Sequence, residues 1–202
     1  ELLNAKNKKF SISDIAALIR QDREQVKKIL KWMFEEGVID FAGGTGSTNS
    51  NPGTDIAITK YDTTGQNIIY STYIGGKNDE LPHSMIVNDF GEVFLLGTTG
   101  SSDFPTTFFG YDTTFNGGYS FPISGLGVTF PNGSDIFISK LSVNGGSLLA
   151  STFLGGSSND GLNLANKLNF NYADEVRGEI EIDNENNIYI ATSTKSKDFP
   201  TT

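Results

Sequence analysis

Apolar and polar residues alternate with two different periods along this chain. Between Ser11 and Glu36 the apolar positions recur every three or four residues, which predicts two short helices with a break near Gln21. From Asp55 onward the period is two, which predicts short strands. Sequences typical of hairpin turns lie between these strands, at 64–65, 89–91, 144–146 and 184–186. The pattern therefore predicts a small helical module followed by a mainly β region of antiparallel strands.

The strand region contains an internal repeat. Residues 55–76 match residues 135–156 without a gap at a constant offset of 80, and residues 92–107 match residues 187–202 at an offset of 95. Each unit predicts four short antiparallel strands, which is the content of one propeller blade. The predicted organisation is a helical module at 1–42, a flexible linker at 43–54, a first repeat at 55–107, an inter-repeat insert at 108–134 and a second repeat at 135–202.

Some residues recur in both units, where we expect them to have structural roles. The glycine pairs suit tight turns, the prolines fix the chain after each unit, and the phenylalanines before them are expected to pack between neighbouring sheets. These residues are Gly75, Gly76, Phe104 and Pro105 in the first unit, and Gly155, Gly156, Phe199 and Pro200 in the second.

The motifs STYIGG and DFPTT of the first unit, and STFLGG and DFPTT of the second, resemble the SBBP-type β-propeller repeat family. The resemblance implies a noncatalytic scaffold or binding surface, with a protein or carbohydrate ligand on the propeller surface and a location outside the cell or on its surface. A closed propeller has typically four to eight blades. We therefore expect either that the chain is a fragment of a longer protein with further blades, or that it self-associates.

The helical segment resembles the helix-turn-helix core of winged-helix domains, because a second helix ends at Gly37 and a short apolar strand follows. That resemblance implies DNA contacts from the second helix, and the candidates are Arg23, Gln25, Lys27, Lys28 and Lys31. The alternative function is then a cytoplasmic one-component transcriptional regulator with a propeller sensor. Against it, Asp22 and Glu24 lie at the end that would approach DNA, and a solvated helix face explains the lysines equally.

Charge separates the two regions further. Residues 1–42 have eight basic and seven acidic side chains, whereas the other 160 residues have seven basic and seventeen acidic ones. This acidic balance disfavours nucleic-acid binding by the repeats, so any DNA contact is expected through residues 1–42 only. The chain has no cysteine and one histidine, which excludes thiolate nucleophiles and Cys-ligated zinc. With no apolar run of membrane-spanning length and no cluster of acid, base and nucleophile, we expect neither a membrane span nor an enzyme.

Two minor features complete the sequence-based predictions. Asp183, Glu185 and Asn187 place oxygen side chains at alternate positions, which suits Ca²⁺, and the glycine-rich loops at 75–79 and 156–160 also suit it. A hairpin turn explains Asp183–Asn187 better, and no other cofactor is expected. The single histidine, His83, is predicted to lie in a surface turn.

Overall fold

The computed structural model describes residues 53–123, 127–163 and 174–202. Within these ranges the protein is mainly β, and its strand pairs are antiparallel. The strands are β1 (Ile56–Tyr61), β2 (Ile68–Ile74), β3 (Glu80–Val87), β4 (Val93–Thr99), β5 (Phe121–Ile123), β6 (Val128–Phe130), β7 (Asp135–Leu141), β8 (Leu148–Leu154), β9 (Gly178–Ile182) and β10 (Ile188–Thr192). A short 3-10 helix covers Asp174–Val176. The predicted helical module at 1–42 and the linker residues 43–52 lie outside the described residues.

The largest sheet combines strands from both sequence repeats. Its order is β3-β4-β7-β8, whereas β1-β2, β9-β10 and β5-β6 form two-stranded sheets. The prediction that each unit forms its own four-stranded sheet was therefore wrong. All seven residues of β4 are buried, and β7 is almost as fully buried. Because both strands are covered on both faces, they pair at the centre of one sheet although 35 residues separate them.

Four of the hairpins turn in the same way. The side chain of the first turn residue accepts hydrogen bonds from backbone amides that follow it, and the fourth turn residue has a positive φ. The first residues are Asp62, Asn88, Ser142 and Asp183, and the fourth are Gly65, Gly91, Gly145 and Asn186. Only glycine, and less readily asparagine, adopts such a φ without much strain. The hairpin turns predicted at these positions are confirmed.

The hairpins are of two kinds that alternate along the chain. The leading hairpins, β1–β2 and β7–β8, share a register shift after Lys60 and Lys140 and a hydroxyl pair between their strands. That pair is Thr59–Ser71 in the first and Ser139–Ser151 in the second, each with oxygens 2.9 Å apart. The trailing hairpins are β3–β4 and β9–β10. Each sequence repeat is thus one leading and one trailing hairpin, and the four-stranded sheet joins the trailing hairpin of one repeat to the leading hairpin of the next.

Apolar side chains on the two faces of the four-stranded sheet hold the other hairpins against it. Val93 and Leu95 of β4 pack in one buried cluster with Ile56 and Ile58 of β1. Neighbouring residues of β4 point to the opposite face, where Phe94 and Leu96 pack with Ile180 of β9. The result is three layers, with β1–β2 on one face of the central sheet and β9–β10 on the other. A third cluster lies under β5–β6.

The inter-repeat segment extends the outer edge of the central sheet. The amide of Thr107 donates to the carbonyl of Ser151 at 3.0 Å, and the amide of Phe153 donates to the carbonyl of Asp112 at 2.9 Å. The remainder of the insert forms the small β5–β6 hairpin, which the sequence pattern does not predict. The segment is therefore more than a loop, since it covers the β8 edge.

Candidate functional site

A cleft lies between the tips of the two trailing hairpins. It has a volume of about 240 Å³ and is lined from β3–β4 by Val87, Asn88, Asp89 and Phe90, and from β9–β10 by Ile182, Asp183, Asn184 and Asn186. The side-chain amide of Asn88 donates to the side-chain Oδ1 of Asn186 at 2.9 Å, which ties the two tips together. Because trailing hairpins pack side by side, equivalent turns from successive repeats meet at this point.

Phe90 gives the cleft an exposed aromatic ring. Its side chain is 73 % exposed, while its backbone amide donates to the Asn88 side-chain oxygen at 3.1 Å. The amide of Glu92 donates to the same oxygen at 2.9 Å. The backbone of Phe90 therefore builds the turn, whereas its ring contributes little to the core and is available for contact with a ligand.

Asp183 forms the other wall of the cleft and is satisfied by its own hairpin. Its Oδ1 accepts hydrogen bonds from the amides of Glu185 at 2.9 Å and Asn187 at 2.8 Å. Its Oδ2 accepts from the side chains of Asn187 at 2.7 Å and Tyr189 at 3.2 Å. These donors, above all the Asn187 side chain, lower the pKa of Asp183. The arrangement holds the carboxylate ionised at the rim of the cleft.

The three residues predicted to bind Ca²⁺ thus lie together in the β9–β10 turn. The Asn187 side chain also donates weakly to Glu185, at 3.5 Å. Among the described residues there is no group of three histidine, aspartate or glutamate side chains arranged to hold a metal ion. The predicted role of Asp183, Glu185 and Asn187 in calcium binding stays a prediction, and the geometry assigns them a turn-forming role.

The recurrent glycine pairs lie against buried carboxylates. The amide of Gly76 donates to Oε2 of Glu80 at 2.9 Å, and the hydroxyl of Thr99 donates to Oε1 at 2.7 Å. A Cβ on Gly75 would overlap the carboxylates of Asp55 and Glu80. Glycine is required there because the chain passes directly over acidic side chains. Burial raises the pKa of Glu80 to about 7, although the hydrogen bonds lower it.

The second repeat builds the same arrangement with Asp160. Its Oδ2 accepts from the amide of Gly156 at 2.7 Å, and its Oδ1 accepts from the Thr194 hydroxyl. A Cβ on Gly155 would meet Asp135 and Asp160. Glu80 is therefore equivalent to Asp160, at the repeat offset of 80. An alignment of the two Asn-Asp pairs, at 78–79 and 159–160, misses this equivalence by one residue.

Asp135 is the second carboxylate of that cluster and orders the inter-repeat segment. The amides of Asn116 and Gly117 donate to its two oxygens at 2.6 and 2.9 Å. The side chain is fully buried, and burial raises the pKa of Asp135 to about 6. The cluster fastens β7 to the segment that precedes it, which is a structural task.

The recurrent phenylalanines lie in the two main apolar clusters. Phe104 is buried between β1–β2 and the central sheet, with its ring centroid 4.3 Å from that of Phe137. Phe199 is partly buried against the cluster between the central sheet and β9–β10. Both therefore lie between layers, and Pro105 and Pro200 follow them where the chain leaves the core.

His83 corrects a sequence-based prediction. It lies within β3, not in a surface turn, and its Nε2 is 2.9 Å from the Thr98 hydroxyl oxygen. Burial lowers the pKa of His83 to about 4. The prediction failed because Pro82 suggests a turn, yet β3 is an edge strand with a register shift after Pro82. An edge strand accommodates a proline that donates no backbone hydrogen bond.

The residues predicted to contact DNA lie outside the described residues. Arg23, Gln25, Lys27, Lys28 and Lys31 all fall within 1–52, so their role stays a prediction. Sequence reasoning also missed Asn88 and Phe90, because their neighbour across the cleft comes from the next repeat. The only signal for them was that equivalent turns recur at the offset of 95.

No protein-family model matches the chain, and no curated protein matches it. In the described ranges no helix is long and apolar enough to cross a bilayer.

Proposed function

We propose that this chain is a noncatalytic binding scaffold built from β-propeller-type repeats of the SBBP kind, and that its cleft binds a carbohydrate. Two features support the propeller-type arrangement. One is the four-stranded antiparallel sheet covered by further hairpins on both faces. The other is the regular alternation of leading and trailing hairpins. On this proposal the central sheet is one complete blade, and β1–β2 and β9–β10 are each half of a neighbouring blade.

The side chains that line the cleft favour a particular class of ligand. It combines the exposed ring of Phe90 with the amide side chains of Asn88, Asn184 and Asn186 and the carboxylates of Asp89 and Asp183. Sugars present apolar C–H faces that pack on aromatic rings, and hydroxyl groups that hydrogen-bond to amides and carboxylates. The negative charge of Asp183 disfavours anionic ligands. A neutral oligosaccharide fits this chemistry best.

Binding to a panel of neutral oligosaccharides, followed by calorimetry on the ligands found, tests the proposal. We expect Phe90→Ala to weaken binding about fivefold or more, since contacts with an aromatic ring are worth on the order of 1 kcal/mol beyond area burial. Phe109→Ala is the matched control, because Phe109 is 92 % exposed and does not line the cleft. Asn184→Ala is expected to weaken binding as well.

The outcomes separate clearly. Loss of binding in Phe90→Ala with retention in Phe109→Ala supports the cleft. If no neutral oligosaccharide binds, or if Phe90→Ala binds like the unchanged protein, the carbohydrate proposal is wrong. Because the Phe90 backbone keeps its hydrogen bond in the variant, a change in binding reports on the ring itself.

A further inference from the structure

Two strands in this protein carry the same pairing surface as β4 and β7 without a partner for it among the described residues. β10 is equivalent to β4 at the offset of 95, yet it pairs only with β9. β1 is equivalent to β7 at the offset of 80, yet it pairs only with β2. The part of the chain that the structure describes therefore presents one unpaired edge of each kind.

Residues of β10 and β1 are much more exposed than the equivalent residues of the paired strands β4 and β7. Val93 and Phe94 of β4 are 3 % and 2 % exposed, whereas the equivalent Ile188 and Tyr189 of β10 are 42 % and 60 % exposed. Leu141 at the end of β7 is 1 % exposed, whereas the equivalent Tyr61 of β1 is 55 % exposed. Uncovered strand edges of this kind recruit other strands.

We propose that β10 of one copy of this chain pairs antiparallel with β1 of a second copy, completing a four-stranded sheet in the order β9-β10-β1-β2. The β4–β7 register runs from Val93↔Leu141 to Thr99↔Asp135. Transferred by the two repeat offsets, it runs from Ile188↔Tyr61 to Thr194↔Asp55. This inference rests on strand pairing and is independent of the carbohydrate proposal.

A specific side-chain pair supports this register. In the central sheet Lys140 lies opposite Phe94, with its Nζ 5.2 Å from the ring centroid. The equivalent residues are Lys60 of β1 and Tyr189 of β10, so a lysine again meets an aromatic ring. The two side chains that would form the contact are both exposed in the single copy.

The faces of the new sheet also match. Ile180 of β9 already packs against the central sheet of its own copy, and Ile56 and Ile58 of β1 pack against the central sheet of theirs. The joined sheet would therefore lie between the two central sheets, with an apolar face for each. Met85 and Val87 of β3 are 52 % and 51 % exposed. They lie on the same face of the central sheet as Val93 and Leu95, where β9–β10 of the second copy would cover them.

The pairing is heterologous, since each copy offers one edge of each kind. Such contacts close into a ring or extend as an open chain. Sedimentation of the whole chain across a concentration series is expected to show species above the 21.8 kDa of one copy. A single 21.8 kDa species at every concentration overturns the proposal.

A matched pair of charge variants locates the contact. Ala191→Lys places a lysine at the β10 edge opposite Glu179, and Thr113→Lys places the same charge in the inter-repeat segment, away from both unpaired edges. Both positions are exposed, so folding is expected to be preserved. We expect Ala191→Lys to abolish association and Thr113→Lys to leave it unchanged. Association that survives Ala191→Lys, or that is lost instead in Phe108→Ala/Phe109→Ala, overturns the proposal.

Cysteine cross-linking tests the register independently, because the chain has no cysteine of its own. Lys60→Cys and Tyr189→Cys are made in separate chains, mixed and oxidised under mild conditions. A disulfide between the two different chains is expected in at least tenfold excess over the yield from Tyr73→Cys mixed with Tyr189→Cys. Tyr73 is a suitable control because it is also exposed but lies on β2. Equal yields in the two mixtures contradict the register.

Discussion

Single carboxylates fix the turns that link the hairpins of each repeat. Glu80 and Asp160 accept hydrogen bonds from the glycine that precedes them by four residues and from a threonine across the strand. Glu80 is 1 % exposed, and burial raises its pKa from 4.5 to about 7. A buried carboxyl group with a raised pKa stabilises the folded state only while it is protonated. This contribution is fully present below about pH 4.5 and is lost as the pH rises through about 7.

We expect Glu80→Gln to flatten the dependence of stability on pH. A shift from 4.5 to about 7 corresponds to a free energy on the order of 3 kcal/mol, which the unchanged protein loses between pH 4.5 and pH 8. Glutamine keeps an acceptor for Gly76 and does not ionise, so the variant should gain on the unchanged protein as the pH rises. Urea unfolding at pH 5, 6, 7 and 8 measures the free energy of unfolding of both.

Among the described residues, two other groups with shifted pKa values titrate near this range and are common to both proteins. Asp135 has its pKa raised to about 6 by burial, and His83 has its pKa lowered to about 4 by burial, which acts in the opposite direction. The difference between the two proteins therefore isolates Glu80. Glu181→Gln, at an exposed position of β9, is the control and should keep the original slope. Equal slopes for Glu80→Gln and the unchanged protein would contradict the assignment.

At the scale of the element, the hairpin is the unit from which this protein is built. A side-chain acceptor at the first turn position and a left-handed residue at the fourth form the same turn in both hairpin kinds. The surroundings of the turns differ. Gly65, with φ +70°, has open space where a Cβ would lie, whereas a Cβ on Gly145, with φ +68°, would overlap the ring of Tyr70. A side chain at Gly65 would meet no neighbouring atom, whereas one at Gly145 would press on Tyr70 of β2.

This difference predicts unequal costs for the same substitution. Gly65→Ala should cost about 1 kcal/mol, which is the strain of an alanine in the left-handed region. Gly145→Ala adds the overlap with the Tyr70 ring and should cost more. The two variants control for each other in urea unfolding, since the turn and the new side chain are the same. Losses of equal size would show that the turn of β7–β8 does not press on β2.

At the scale of the whole molecule, stability depends on the apolar clusters between layers. Phe137 is fully buried in the central sheet, and its ring lies beside that of Phe104 in the cluster shared with β1. The cluster joins residues that are distant in sequence, so its loss should weaken the assembly of layers and not only one hairpin.

Phe137→Ala is expected to lower the free energy of unfolding by about 3–5 kcal/mol, because it removes a buried ring and leaves a cavity. Phe109→Ala removes the same ring from a position that is 92 % exposed, and a surface change of this kind is usually within about 0.5 kcal/mol of neutral. Thermal unfolding followed by circular dichroism compares the two. A loss in Phe137→Ala as small as that in Phe109→Ala would show that the layers do not share this core.

The sequence by itself determined the repeat, most of its strands and the turns between them, but not the β5–β6 hairpin or the start of β3. Alternating apolar residues define β1 and β2, and an acceptor followed by glycine or asparagine defines their turns, because both depend on residues that are near one another in the chain. Tertiary structure alone decided which hairpins join. β4 pairs with β7 of the next repeat, His83 lies half-buried beside Thr98, and the Asn88 side chain meets that of Asn186. These contacts depend on which faces are covered, and period-two alternation is the same whichever strand lies alongside.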